Sequence, residues 1–232
     1  MRTFVGTSGF SYKEWKGNFF PADLSNSEML RFYGERFNSV EINNSFYRMP
    51  SSAVLGKWAE EVPSGFVFVL KAPRSITHQK QLHQAGDALT YFWKTAQSMG
   101  SKLGPILFQL PPFFKKDLPR LRDFVRLLPE GCRAAFEFRH TSWFDDEVYD
   151  ALRSLHLALC AADTDELEAT LIPTAQWGYL RLRRVEYGEA QLKTWAERIR
   201  SQPWSEAFVF FKHEDEGTGP RLAAQFNALL QS

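Results

Sequence analysis

A single-domain parallel (β/α)8 barrel of the TIM type, an α/β fold spanning 1–232, is what this sequence predicts. Three observations carry that expectation. Eight short apolar runs punctuate the 232 residues, amphipathic stripes separate them, and no linker, sequence repeat or low-complexity tract divides the chain. Strand and helix alternating at such short spacing imply right-handed crossovers and a parallel sheet, and eight units in roughly 250 residues suit closure into a barrel. An open doubly wound sheet is the runner-up. Against it, "GTSGFS" (6–11) has the wrong glycine spacing for a dinucleotide fingerprint and no helix directly after it.

The elements follow in order. "TFVGTS" (3–8) reads as the first strand, and a long aromatic loop, 8–25, leads to a helix on Leu30, Tyr33 and Phe37, with Ser25 and Glu28 at capping-box spacing. "SVEIN" (39–43) precedes a helix on Leu55, Trp58 and Val62, and "FVFVLK" (66–71) one on Leu89, Phe92, Trp93 and Ala96. After "PILFQL" (105–110), Asp117 ahead of Leu118-Pro119 offers an acceptor to the free amides of a helix on Leu121, Phe124, Val125 and Leu128. "AAFEFR" (134–139) leads to a helix on Val148, Leu152 and Leu155, whereas "LALCAAD" (157–163) is followed only by a weak helical pattern near "DELEATLIP". "WGYLRLR" (177–183) and "AFVFFK" (207–212) complete the strands, with helices on Leu192, Trp195 and Ile199 and on Leu222, Phe226 and Leu229. The three-and-four spacing makes Trp58, Trp93 and Trp195 core residues.

Composition narrows the function classes. With 44% apolar and 15% aromatic residues the chain can build a substantial core, and 28 basic against 27 acidic side chains leave a charge of +1. No global field steers it to nucleic acid or anionic membrane. "MRTFVGTSGFSYKEW" carries no signal-like apolar stretch, no run is long enough to span a bilayer, and a cytoplasmic location is the expectation. Cys132 and Cys160 read as packing residues.

In such a barrel the chemistry sits at the C-terminal strand ends. Alternation turns Phe136 and Phe138 toward the helices and Glu137 and Arg139 into the mouth, and it does the same for Glu41 and Asn43 against Val40 and Ile42. Lys71, Gln109, Asp163, Arg181 and Arg183 lie at equivalent strand ends. Mere pairing of these charges, Glu137 with Lys71 or Arg139 with Glu41, is the plain alternative, though burying such pairs seldom stabilises. Tyr12 and Trp15 in the first loop, with Tyr47, Phe113 and Trp143 after strands two, four and five, supply ring-stacking walls. His78 and His140 are placed for proton transfer or metal binding. A divalent metal held by them with Glu41, Glu137 and Asp163 is not favoured, because no His pair has ligand spacing and cations lie close by; no organic cofactor motif is present. Arg181, Arg183, Arg184, Lys212 and His213, with a helix opening at Gly219-Pro220, favour an anionic ligand, against the opposing charge of Glu214, Asp215 and Glu216.

The blocks "FVGTSGFSYKEW" (4–15), "VEINNSFYRMP" (40–50), "FVLKAPRSITH" (68–78), "LGPILFQLPPFF" (103–114) and "FEFRHTSW" (136–143) resemble successive blocks of the YecE-like family, domain of unknown function 72. The resemblance implies an eight-stranded barrel similar to the sugar-isomerase and endonuclease IV type. It carries Ser8, Tyr12, Trp15, Glu41, Asn43, Phe46, Tyr47, Lys71, His78, Gln109, Glu137, Arg139 and Trp143 into one shared mouth. Where the family pattern has Arg-x-His-Gly at strand seven and an Asn pair after strand eight, Arg181 here continues into Leu182-Arg183-Arg184 and Phe211 into Lys212-His213. Chemistry resting on those family groups is therefore lost or altered in this chain.

These readings converge on an enzyme for a small anionic or sugar-like metabolite, working by hydrolysis, isomerisation or lyase chemistry. Glu41, Lys71, Glu137 and His78 are the expected catalytic groups, and Tyr12, Trp15, Asn43, Tyr47, Gln109, Arg139, Trp143 and Arg181 the expected substrate contacts. A nucleic-acid binder or nuclease, with basic stretches such as "RLRDFVR" (120–126), and a noncatalytic ligand sensor are the alternatives.

Overall fold

Every apolar run forms a strand, and all eight strands are parallel. The computed structural model describes residues 1–166, 168–212 and 215–231. In chain order the elements are β1 (Arg2–Thr7), α1 (Met29–Gly34), β2 (Ser39–Ile42), α2 (Asn44–Tyr47), α3 (Ser52–Glu61), β3 (Val67–Lys71), α4 (Gly86–Ala96) and β4 (Leu103–Gln109). There follow α5 (Leu118–Val125), β5 (Ala134–Glu137), α6 (Asp146–Ser154), β6 (Ala158–Asp163), β7 (Trp177–Leu182), α7 (Glu189–Arg200), β8 (Glu206–Phe211) and α8 (Thr218–Gln231). The sheet runs β1-β8-β7-β6-β5-β4-β3-β2, so neighbours in sequence are neighbours in space and only the β1/β2 seam lacks a full ladder.

Side chains close that seam. The Asn38 amide accepts from Val5 N at 2.9 Å and donates to Thr3 O at 2.8 Å, while the Tyr33 hydroxyl accepts from Thr7 N at 2.8 Å and donates to Ser39 O at 3.1 Å. Strand groups that would otherwise be buried without partners are thereby satisfied. Gly6 permits the approach, since a Cβ there would lie 1.9 Å from Ser39 O. Just beyond, Gly9 N donates to Glu41 O at 2.8 Å, pinning the first loop to β2 beside the future site.

Two apolar layers result, as alternation requires. Phe136, Phe108, Val40 and Ile42 face the helices, whereas Phe4, Val69, Leu107, Tyr179, Phe208 and Phe210 fill the interior. Small Ala135, Ala158 and Cys160 on β5 and β6 offset the bulk of Trp177 and the phenylalanines opposite. The interior is thus filled with carbon through its middle, with an Arg133–Glu206 ion pair over Trp177 and Phe208 at the N-terminal strand ends and the larger group of charges toward the C-terminal ends.

Local signals mostly act where expected. Asp117 accepts from Arg120 N at 3.0 Å to start α5. Ser25 and Glu28 do meet, Ser25 Oγ donating to Glu28 at 2.6 Å, but they close a turn and the helix begins only at Met29. After β6 no helix forms among the described residues; Thr174 instead accepts from Leu159 N and donates to Leu157 O. Trp195 is buried, while Trp58 and Trp93 are only half-buried at the core's edge. No described helix is long and apolar enough to cross a membrane.

Candidate active site

Arg181, near the end of β7, organises the mouth. Its guanidinium reaches across the barrel interior, donating to Glu41 Oε1 on β2 at 2.9 Å and to Glu137 Oε2 on β5 at 2.6 Å. Glu41 also accepts from Ser8 Oγ at 2.7 Å and from Tyr179 Oη at 2.6 Å. All of these side chains are buried. Burial alone would raise both carboxyls; for Glu137 the Arg181, Arg139 and Arg183 charges outweigh it and hold the group down at about 2. Burial opposes ionisation of Glu41 in the same way, and Arg181 with the Tyr179 and Ser8 hydroxyls keeps it below its ordinary value. Both carboxylates are thereby held toward the ionised form, in which they anchor the neighbouring cations.

Above this floor sits a more accessible rim. Arg139 Nε donates to Glu137 Oε1 at 2.9 Å, and Arg183 Nη1 lies 3.9 Å from the same oxygen. The Arg183 Nε–H is buried and meets no acceptor among the described residues. Lys71, at the end of β3, donates to Gln109 Oε1 at 2.6 Å and lies 4.2 Å over the Phe46 ring. Burial, then the Arg181 charge, lowers its pKa to about 8 despite Glu137 and Glu41. His78 rides on a π-helical turn, Ser75–Gln79, with its ring edge-on to Phe46 at 4.8 Å. Burial and the neighbouring Lys71, Arg74 and Arg139 charges depress it to about 4, so it is a neutral imidazole at pH 7.

The expected site residues separate into groups. Glu41, Lys71, Gln109, Glu137, Arg139, Arg181 and His78 converge on one mouth. Tyr12 and Asn43 line a neighbouring cleft of about 420 Å³ with Trp58 and Lys57, and Asn43 Oδ1 is buried there with no partner among the described residues. Tyr47 stands 79% exposed beside Phe46. Trp15 and Trp143 depart from expectation: both are fully buried and form no substrate wall. Trp15 packs among Tyr12, Phe19 and Phe20, and Trp143 stacks on Phe138 at 4.6 Å and donates its indole N–H to Phe114 O. Arg181 likewise belongs beneath the mouth, 2% exposed, with both terminal nitrogens already on carboxylates. The anticipated Glu137–Lys71 and Glu41–Arg139 pairs give way to Arg181 as the shared partner.

Asp163 faces away from the mouth. It pairs in register with Leu182 rather than Arg181, accepting from Tyr187 Oη at 2.7 Å and pairing with Arg184 at 2.8 Å. His140 caps its own turn by accepting from Ser142 N. Among the described residues no three His, Cys, Asp or Glu side chains gather as a metal-ligand set, and the carboxylates of the mouth are occupied by their donors. Lys212 is half-buried after β8; His213 and Glu214 lie outside the described residues. Tyr179 was not anticipated, although its place two residues before Arg181 on an alternating strand is the signal that puts it on the inner face.

Fold and mouth together define a parallel eight-stranded α/β barrel of TIM type with an ionised, partly buried C-terminal end. The match of residues 4–232 to the family described as protein of unknown function DUF72 goes further: the chain belongs to that family. It is similar to the UPF0759 protein YecE of Escherichia coli K12, 32% identical over 130 residues, 55% of this chain and 48% of the relative, so the match spans about half of that protein. The UPF0759 protein YunF of Bacillus subtilis 168 is 28% identical over 156 residues, covering 63% and 54%. A crystal structure of a DUF72 family protein from Thermotoga maritima superimposes with a TM-score of 0.87 at 28% identity and full coverage of both chains. One from Enterococcus faecalis V583 gives 0.83 at 19% identity, covering 99% and 96%, a likeness of fold.

Proposed function

We propose that the mouth binds a small anionic metabolite and transforms it. One observation carries this reading. Among the described residues, Lys71, Arg139, Arg181 and Arg183 surround two carboxylates, Glu41 and Glu137, so within that set two positive charges remain uncompensated in a partly desolvated recess. Charge held in such a place is costly unless something pairs with it, and a phosphate or carboxylate would. Arg139 and Arg183, both accessible, offer planar forks suited to such groups. Lys71, brought down to about 8, is the group able to exchange a proton with a bound molecule near neutral pH, and neutral His78 offers a hydrogen-bonding imidazole beside it.

Nucleic-acid binding is less well supported. The basic stretch on and after α5 is partly neutralised by local ion pairs, Arg120 with Asp117 and Arg126 with Asp123. The test is a thermal-shift titration with inorganic phosphate, sugar phosphates and small carboxylates, repeated on Arg139→Ala and Arg183→Ala. A rise in Tm for the parent chain that both variants lose supports the site, and no anion-dependent rise sinks it. Turnover of a bound anion separates an enzyme from a noncatalytic sensor.

A further inference from the structure

Lys71 differs from the other lysines whose partners are defined. Lys57, Lys116 and Lys193 form ion pairs with carboxylates, and Lys16, Lys80 and Lys102 donate to backbone carbonyls. Lys71 donates to a neutral amide oxygen, lies over an aromatic face, and has no carboxylate within ion-pair distance among the described residues. Its strand end aims the amine into the mouth, and Gln109 and Phe46 hold it there without capturing it as an ion pair would. We infer that Lys71 is a covalent amine, condensing with the carbonyl of a substrate that also bears a carboxylate or phosphate. The inference rests on the anion site proposed above, because Arg139 and Arg183 hold the anionic end.

The chemistry closes on these residues. Lys71 gives up a proton to solvent, and the free Nζ lone pair attacks the carbonyl carbon. A C–N bond forms, the carbonyl π bond breaks, and the oxygen takes a proton to give a carbinolamine. The C–O bond then breaks, and the oxygen leaves with a second proton as water. The product is a protonated imine, so ammonium plus carbonyl has become iminium plus water with charge conserved. Burial and Arg181, which bring the Lys71 pKa down to about 8, leave roughly a tenth of the amine free at neutral pH. Surface Lys116 and Lys193 are shifted the opposite way by their carboxylate partners.

The test is reductive trapping. The full chain is incubated at neutral pH with cyanoborohydride and pyruvate, dihydroxyacetone phosphate or uncharged acetone, then digested and mapped by mass spectrometry. The expected result is a reduced adduct concentrated on Lys71 with pyruvate or dihydroxyacetone phosphate, the better of the two identifying the anion. It should be scarce with acetone, roughly tenfold weaker in Arg139→Ala, and absent from folded Lys71→Arg. If the anionic probes raise Tm but Lys71 is not labelled above the surface lysines, the covalent role is overturned while the anion site survives. If the probes neither raise Tm nor label Lys71, both readings fall.

Discussion

Arg181 and Arg139 both donate to Glu137, yet one is 2% exposed and the other 33%. Around Arg181 two carboxylates, two hydroxyl donors and one guanidinium form a fully buried network in which Glu41 and Glu137 take their donors from within the protein. Around Arg139, Arg183 and Lys71 the positive charges are in excess, and all three side chains are partly exposed. Depth separates the two arginines, since their side chains are the same. A buried ion needs its partners within the protein, whereas a half-exposed one can take its partner from solution.

Removing a partner from the floor is the strongest way to test the contrast. Arg181→Met should destabilise by about 3 to 5 kcal/mol in urea denaturation, because Glu41 and Glu137 would stay buried with no cation bridging them. Acid attacks the same place. Glu137 is depressed from 4.5 to about 2, so its contribution is complete above pH 4.5 and is lost as pH falls through 2. An acid limb of unfolding that Glu137→Gln does not flatten would contradict this. Tyr179→Phe removes one bond to the buried Glu41 carboxylate and should cost about 2 kcal/mol in the same measurement.

The rim should answer in the other direction. Lys71 is depressed from 10.5 to about 8, so the folded state favours its neutral form; that contribution is full above pH 10.5 and lost as pH falls through 8. Lys71→Met should therefore stabilise the fold at pH 7 by about 1 kcal/mol after allowance for solvent screening, with the gain vanishing above pH 10.5. Arg139→Ala should change stability by less than about 1 kcal/mol while weakening anion binding roughly tenfold. Were Arg139→Ala as destabilising as Arg181→Met, the division into floor and rim would collapse.

Much of this is legible in the sequence. The period-two runs specify the strands, and the Phe136-Glu137-Phe138 alternation specifies which side chains enter the barrel, because successive residues of a strand must point to opposite faces. Aromatic loop residues were read less well. Trp15 and Trp143 follow strand ends like any lid residue, but short turns fold both inward onto Phe20 and Phe138, and nothing local distinguishes that packing from exposure. Asp163 was similarly ambiguous, since its register beside Leu182 depends on where β6 meets β7.

The sequence by itself determined the barrel and the strand ends that carry charge; these follow from local period and chain connectivity. Only the tertiary structure decided that Arg181 joins Glu41, 140 residues away, with Glu137, 44 away, and that Lys71 is left with an amide and a ring. Those pairings depend on which side chains meet across a closed interior of limited width. That is a property of packing depth and strand register, which no local pattern encodes.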